Sequence, residues 1–300
     1  MIRVLSSDDV KKSLPMKAAI KETKRAFSSL SARKLEMPLR SRINVSKQDG
    51  VVLTMPAALL DDEEIAVKIV SVFGNNLKRG LPLIHAIVIV LDAENGKILS
   101  LMDGEVLTAV RTGAGVGVAS DILAPINAKI VAIIGSGIQA RSQLEAVCTV
   151  RNIKQARVYS PNTEHAQKFA KEMSGLGKIP SDVKVFLSSE EALRGADIIC
   201  TATNSVDPVI SFDHLKKGAH VNAVGSFQPK MQEIDAKTIS RALVVVDSRE
   251  SALVETGDIK IPLEKGLIKK EHIFAEIGEI INGIKKGRSS SDQLTLFKSC

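Results

Sequence analysis

Lys129-Ile-Val-Ala-Ile-Ile-Gly-Ser-Gly-Ile-Gln-Ala-Arg141 decides the fold. The β-branched run Ile130 to Ile134 reads as a buried strand that stops at Gly135. Gly137 follows two residues later, and Ile138-Gln-Ala140 opens a pattern at helical spacing. A strand, a tight glycine turn and a helix N-terminus make a site for a dinucleotide's phosphates, because the first N–H groups of the helix have no partner inside it. Gly135 admits the turn, Gly137 lets backbone approach a pyrophosphate, and Ala140 stands where a third glycine often sits. G-x-G-x-x-A alone is a weak signal; its position between a buried strand and a helix strengthens it. Gly113, Gly115 and Gly117 also alternate, but no strand leads into them. That stretch reads as a helix whose small residues let another element pack closely.

From Ala128 onward the rhythm is strand, helix, strand. Apolar runs stand at 130–134, 155–159, 183–187, 197–201, 219–224 and 242–247, with helical patterns between them. Such alternation predicts a doubly wound parallel sheet. Before it, Pro15 to Leu30 reads as a helix, and the stretch from Pro38 to Met102 as strands joined by polar turns. The expected fold class is α/β: a Rossmann-type doubly wound parallel sheet plus a largely antiparallel α+β domain. Ala124-Pro125 marks the boundary, giving domains 1–124 and 125–289, with 290–300 returning to the first.

A chain of 300 residues has room for two cores. Its 41 basic and 34 acidic residues leave a net charge of +7 spread as scattered short pairs. With no Trp and only Tyr159, base stacking is unsupported, so the excess favours small anions over nucleic acid. Cys148, Cys200 and Cys300 are odd in number, far apart and outside any C-x-x-C. That excludes a disulfide framework and a zinc site and suits a reduced, cytoplasmic setting. No metal is expected. The N-terminus lacks the apolar segment of a signal peptide, and no apolar run is read as a membrane span.

Several cations interrupt apolar surroundings. Lys68 breaks the strand Ile65-Ala-Val-Lys-Ile-Val70 and faces away from Val67 and Ile69. Arg40 and Arg42 share one strand face, and Arg111 sits on an apolar helix. Each alone reads as an outward or salt-bridging residue. Beside a nucleotide site, together they suggest an anionic substrate. His85 by itself is more often a satisfied structural histidine. The second strand of the parallel sheet ends at Ser160, where an Asp or Glu would hold the ribose hydroxyls and repel a 2′-phosphate. Ser160 admits NADP as well as NAD, with a slight lean to NADP.

These motifs add up to a family. Val52-Leu-Thr-Met-Pro-Ala57, Val67-Lys-Ile-Val70, Met102-Asp-Gly104, Thr108-Ala-Val-Arg-Thr112 and Gly135-Ser-Gly-Ile-Gln-Ala140 occur in this order. They are followed by Ala196-Asp-Ile-Ile199, Thr201-Ala-Thr-Asn-Ser205, His220-Val-Asn-Ala-Val-Gly-Ser226, Glu255-Thr-Gly-Asp258 and Ala275-Glu-Ile-Gly278. Along nearly its whole length the chain resembles the ornithine cyclodeaminase/mu-crystallin family. The resemblance implies a homodimer built through the antiparallel domain, which also binds substrate, and hydride transfer between a nicotinamide and an amino acid's α-carbon. Carried over by position, Arg40 (or Arg42), Lys68 and Arg111 look like the substrate-carboxylate ligands, with Met55 beside them. Lys68, Arg111 and His85 look catalytic. Arg111, Thr112, Gly135, Ser136, Gly137, Ile138, Gln139, Ser160, Thr201, Ala202, Thr203, Val224, Gly225 and Ser226 look like cofactor contacts.

Two departures narrow the chemistry that the resemblance implies. Phe227 stands where cyclodeaminase and the archaeal alanine dehydrogenase carry an Asp, and Leu53 where cyclodeaminase carries a Glu for a distal amine. Apolar side chains there suit a small ring without a second amine. The expected reaction is NAD(P)H-dependent reduction of Δ1-pyrroline-2-carboxylate, or its six-membered homologue, to L-proline or L-pipecolate. Alanine dehydrogenase, ornithine cyclodeaminase and an NADP-dependent binding protein in the mu-crystallin manner are the alternatives.

Overall fold

Alternating strands up to residue 103 fold into one sheet, and the apolar runs after residue 130 fold into another. The computed structural model describes residues 1–59 and 64–299, without the side chain of Leu77; Cys300, counted above, lies outside the described residues. In chain order the elements are β1 (Arg3–Leu5), α1 (Ser7–Ser13), α2 (Met16–Ser31), β2 (Leu35–Glu36), β3 (Ser41–Val45), β4 (Gly50–Leu59), β5 (Glu64–Phe73), β6 (Ile84–Asp92), β7 (Ile98–Asp103) and α3 (Gly104–Leu123). They continue with β8 (Ile130–Ile134), α4 (Ile138–Val150), β9 (Gln155–Tyr159), α5 (Thr163–Met173), β10 (Val183–Val185), α6 (Ser189–Leu193), β11 (Ile198–Thr201), β12 (His220–Ala223) and α7 (Ala236–Arg241). The last are β13 (Leu243–Val246), α8 (Arg249–Glu255), α9 (Gly257–Glu264), β14 (Ile273–Glu276), α10 (Ile277–Ile281) and β15 (Thr295–Lys298).

The first sheet runs β1-β7-β6-β5-β4-β2 with β3 also on β4, and only the β1–β7 pair is parallel. The second runs β10-β9-β8-β11-β12-β15-β13-β14, parallel throughout. The chain leaves β8 toward β9 and β10 on one side, then restarts at β11 on the other. That reversal opens a crevice at the carboxyl ends of β8 and β11.

The expected return of 290–300 to the first domain is corrected here. Strand β15 lies inside the parallel sheet, between β12 and β13, with Leu296 and Phe297 fully buried. A short run buried on both faces carries no alternation to mark it as a strand. Strand β14, at the edge of the same sheet, is also absent from the sequence reading, because four residues are too short a run to establish a period.

Helix α3 bears out the close-packing reading of its glycines. A Cβ on Gly113 would stand 2.6 Å from the Ser142 carbonyl oxygen of α4. One on Gly117 would stand 2.7 Å from Ile20 of α2. By length and composition α3 could cross a membrane, contrary to the sequence reading, yet 67% of that span is buried inside the protein. It is a core helix wedged between the two sheets' helical layers.

Candidate active site

Strand register sets the first side chains. Lys68 on β5 pairs with Met55 on β4 and Val88 on β6, and Val88 with Met102 on β7. Cross-strand partners share a face, so these four form one row. The face is the inner one: Val88 and Val70 are buried, and α3 covers β5 and β6. Ser41 pairs with Thr54, so the register brings Arg40 alongside Met55 at the end of that row. Arg42, the alternative, is exposed and donates from Nε to Asn44 Oδ1 at 2.7 Å.

Arg40 and Arg111 converge on Lys68. Burial, then the charges of Arg111 and Arg40, pull the Lys68 ammonium down from 10.5 to about 7. Arg111 keeps solvent-accessible surface yet stands deep among protein atoms, as at the floor of a cleft. That desolvation lowers its pKa, Asp247 opposes the shift, and Arg40 adds to it. A guanidinium stays charged regardless.

The parallel domain answers with carboxylates. Arg40 is ion-paired through Nη2 with Glu255 Oε2, at the end of α8. Asp247, just beyond β13, faces Arg111. Burial raises the Glu255 pKa, Arg40 pulls it down and Asp247 pushes it up. Two guanidiniums therefore face two carboxylates, and Lys68 adds one positive charge in excess when it is protonated. Glu255 was quoted in a motif and Asp247 was missed altogether. The partners of Arg40 and Glu255 lie 215 residues apart, so no local pattern links them.

The glycine turn lies at the same end of the parallel sheet. Gly135 takes φ +111°, a left-handed conformation that an L side chain rarely adopts, and donates its N–H to Tyr159 O at 2.8 Å. Gly137 caps α4 without any side-chain hydrogen bond, and a Cβ there would meet nothing within 4 Å. Ser136 and Ile138 flank this open cradle, with Ile138 exposed. Gln139 Oε1, on the first turn of α4, and Thr108 Oγ1, on α3, are buried without a hydrogen-bond partner among the described residues. Free helix N–H groups, an open cradle and unpartnered buried oxygens suit the phosphates and ribose of a dinucleotide. Thr112 is buried next to Arg111, and Gly113 contacts α4 directly. Ser160 follows β9, Thr201 ends β11 with Ala202 and Thr203 just beyond it, and Val224 to Ser226 follow β12.

One predicted participant stands apart. His85 pairs with Ser71 on the outer face of the sheet, opposite Lys68. Its Nδ1 lies 2.9 Å from Glu105 Oε1, and its side chain is half exposed. The structure therefore corrects the assignment of His85 to the site. Inter-strand register, invisible in sequence, makes the difference. Leu53 shares the inner face of Met55, and Phe227 is exposed beyond β12.

The ornithine cyclodeaminase/mu-crystallin family model matches residues 2–300. A Δ1-pyrroline-2-carboxylate reductase of Bacillus cereus is 40% identical over 297 residues, spanning 99% of this chain and 90% of that protein. The structure of Thermococcus litoralis Δ1-pyrroline-2-carboxylate reductase in complex with NADH and L-proline superposes with a TM-score of 0.96 at 44% identity, covering 99% of this chain and 92% of that one. An archaeal alanine dehydrogenase dimer with bound NAD gives 0.92 at 33% identity, covering 99% and 90%. With a matching family model over the full length, this chain belongs to the ornithine cyclodeaminase/mu-crystallin family.

Proposed function

We propose that this protein is an NAD(P)H-dependent oxidoreductase that reduces a cyclic imino acid, Δ1-pyrroline-2-carboxylate or its six-membered homologue, to L-proline or L-pipecolate. The observation that carries the reading is the cluster of Arg40, Lys68 and Arg111 opposed by Asp247 and Glu255, one positive charge in excess when Lys68 is protonated. A single substrate carboxylate neutralises it. The named activities of the relatives support the same chemistry.

The Gly135–Gln139 turn would hold the cofactor's pyrophosphate, and the dihydronicotinamide would supply a hydride when bound. Arg40 and Arg111 hold the carboxylate and so fix the adjacent C=N carbon in reach of it. The incoming negative charge raises the Lys68 pKa from about 7, so its ammonium is charged when substrate is bound. Lys68 then gives or holds the proton at the imine nitrogen, which increases the electrophilicity of the carbon. Leu53 and Phe227 bring no group to handle a second amine, which sets ornithine cyclisation and ammonia chemistry at a disadvantage.

Ser160 carries no charge to repel a 2′-phosphate, which supports use of NADPH as well as NADH, with a slight lean to NADPH. The outer face of the seven-stranded sheet supports a homodimer. Val4, Leu101, Ile89 and Val67 form one apolar row there and Ile87 and Ile69 the next, with Val4, Ile43, Ile69 and Ile87 exposed in the single chain.

The test is a spectrophotometric assay of NADH and NADPH oxidation. Pyrroline-2-carboxylate or piperideine-2-carboxylate should drive oxidation, and pyruvate plus ammonia should not. Release of ammonia from ornithine without net cofactor change would replace this reading by cyclodeamination.

A further inference from the structure

Glu233 is fully buried, and the reaction outlined above does not use it. Its carboxylate accepts four hydrogen bonds. Oε2 takes Thr201 Oγ1 at 2.7 Å and the Gly225 N–H at 2.6 Å. Oε1 takes the Thr203 N–H at 2.7 Å and Thr203 Oγ1 at 2.8 Å. One donor, Thr201, ends β11; the other three sit on the segments that follow β11 and β12. Each oxygen faces two donors, an arrangement that an amide in its place would break on one side.

The group is itself anchored. The N–H groups of Glu233 and Ile234 donate to Asp258 Oδ1 at 2.7 and 3.0 Å. Asp258 Oδ2 lies 3.6 Å from Lys298 Nζ, both side chains wholly buried. Lys298 in turn donates to the Ala223 carbonyl at 3.2 Å, at the end of β12. The charged chain thus runs from Lys298 on β15 through Asp258 to Glu233 and back to β12.

Position gives the network its meaning. A dinucleotide lying across the switch point, with its phosphates on α4, sends one half toward β9 and the other toward β11 and β12. Ser160 lies on the first side. Thr201–Thr203 and Val224–Ser226 lie on the second, where the hydride donor must sit to face Lys68. Gly225 is packed so closely that a Cβ would stand 2.6 Å from Thr203 N.

We infer that Glu233 is a positioning residue for the nicotinamide half of the cofactor: it clamps the segments after β11 and β12 in one register and so shapes the surface against which the ring rests. This rests on the proposed nicotinamide cofactor. Glu233→Gln keeps the volume but turns an NH2 toward donors. Glu233→Asp keeps the charge one methylene short.

The experiment compares binding of NADH, by fluorescence, with binding of ADP-ribose, which lacks the nicotinamide, by calorimetry. In Glu233→Gln the NADH dissociation constant should rise about tenfold or more, while that for ADP-ribose stays within about twofold. Glu233→Asp should recover part of the NADH affinity. Equal weakening of both ligands would make Glu233 a general structural residue and overturn the inference. Unchanged NADH binding in the variant, with the wild type binding normally, would overturn it too. A wild type that binds ADP-ribose but gains nothing from the nicotinamide would overturn the cofactor reading and this inference together.

Discussion

The Arg40 guanidinium, just before β3, pairs with the Glu255 carboxylate at the end of α8, joining the antiparallel sheet to the parallel one. Both side chains are mostly shielded, so the pair is not an ordinary surface bridge. It also puts a protein carboxylate on the cation that we assign to the substrate's. Removing one partner leaves the other desolvated and alone. A double-mutant cycle of Arg40→Met and Glu255→Gln in chemical denaturation should give a coupling of roughly 1–3 kcal/mol. Additive single effects would mean that the bridge does not form in solution. Arg40→Met should also raise the substrate KM and leave cofactor affinity alone.

Lys68 is placed at the expense of stability. Its folded pKa of about 7 lies below its ordinary 10.5, so the folded chain resists the charge that the unfolded chain accepts. Between those values the unfolded state binds more protons, and the Lys68 contribution to stability falls as pH drops toward 7. Lys68→Met should therefore stabilise the fold by roughly 1–2 kcal/mol at neutral pH while turnover drops about 10²–10⁴-fold. In the wild type, kcat/KM should decline as pH rises through about 7, where free Lys68 loses its proton. A profile that is flat there, or unchanged in Lys68→Arg, would remove Lys68 from proton transfer.

Gly137 separates folding from binding. Its backbone is ordinary, φ −79°, and a Cβ would meet no atom of the protein. Gly137→Ala should melt within about 2 °C of the wild type. The methyl would nevertheless occupy the approach to the cradle, and NADH affinity should fall about tenfold or more. Gly135→Ala should behave differently. At φ +111° and against the Ala202 carbonyl it should lose stability as well.

His220 makes the protein acid-sensitive. It is fully buried, with Nδ1 2.9 Å from Thr295 Oγ1 and Nε2 3.1 Å from Asn222 Oδ1. Burial and the nearby Arg288 pull its pKa from 6.5 to about 3. Between these values the unfolded chain takes up a proton that the native chain refuses. Stability should fall by up to about 1.4 kcal/mol per pH unit as pH drops below 6.5. Denaturant titrations at pH 7.5 and 5 should show a steeper loss in the wild type than in His220→Asn. Equal losses would place the acid sensitivity elsewhere.

Cys148 and Cys200 are buried, and burial pushes both thiols up to about 12. A thiolate is the reactive form. Neither should react with iodoacetamide in the native protein at pH 8, and both should after denaturation. Rapid native labelling would show that the parallel core opens.

Sequence alone determined the glycine turn, the alternation of strands and helices behind it, and the cations interrupting apolar runs. These are local: φ freedom at Gly135, period-two alternation around Lys68 and small residues at Gly113 and Gly117 leave marks within a few neighbours. Tertiary structure decided the rest. Arg40 and Arg42 share a face by spacing, and only the end of β3 and the Asn44 contact separate them. His85 and Lys68 lie on different strands, and register alone turned them to opposite faces. The run at Thr295–Lys298 became a central strand because the slot between β12 and β13 was there to bury it. Glu255, Asp247 and Glu233 acquired partners only when distant segments met, since the attraction between charges depends on separation in space and on exclusion of water, neither of which is written in the order of residues.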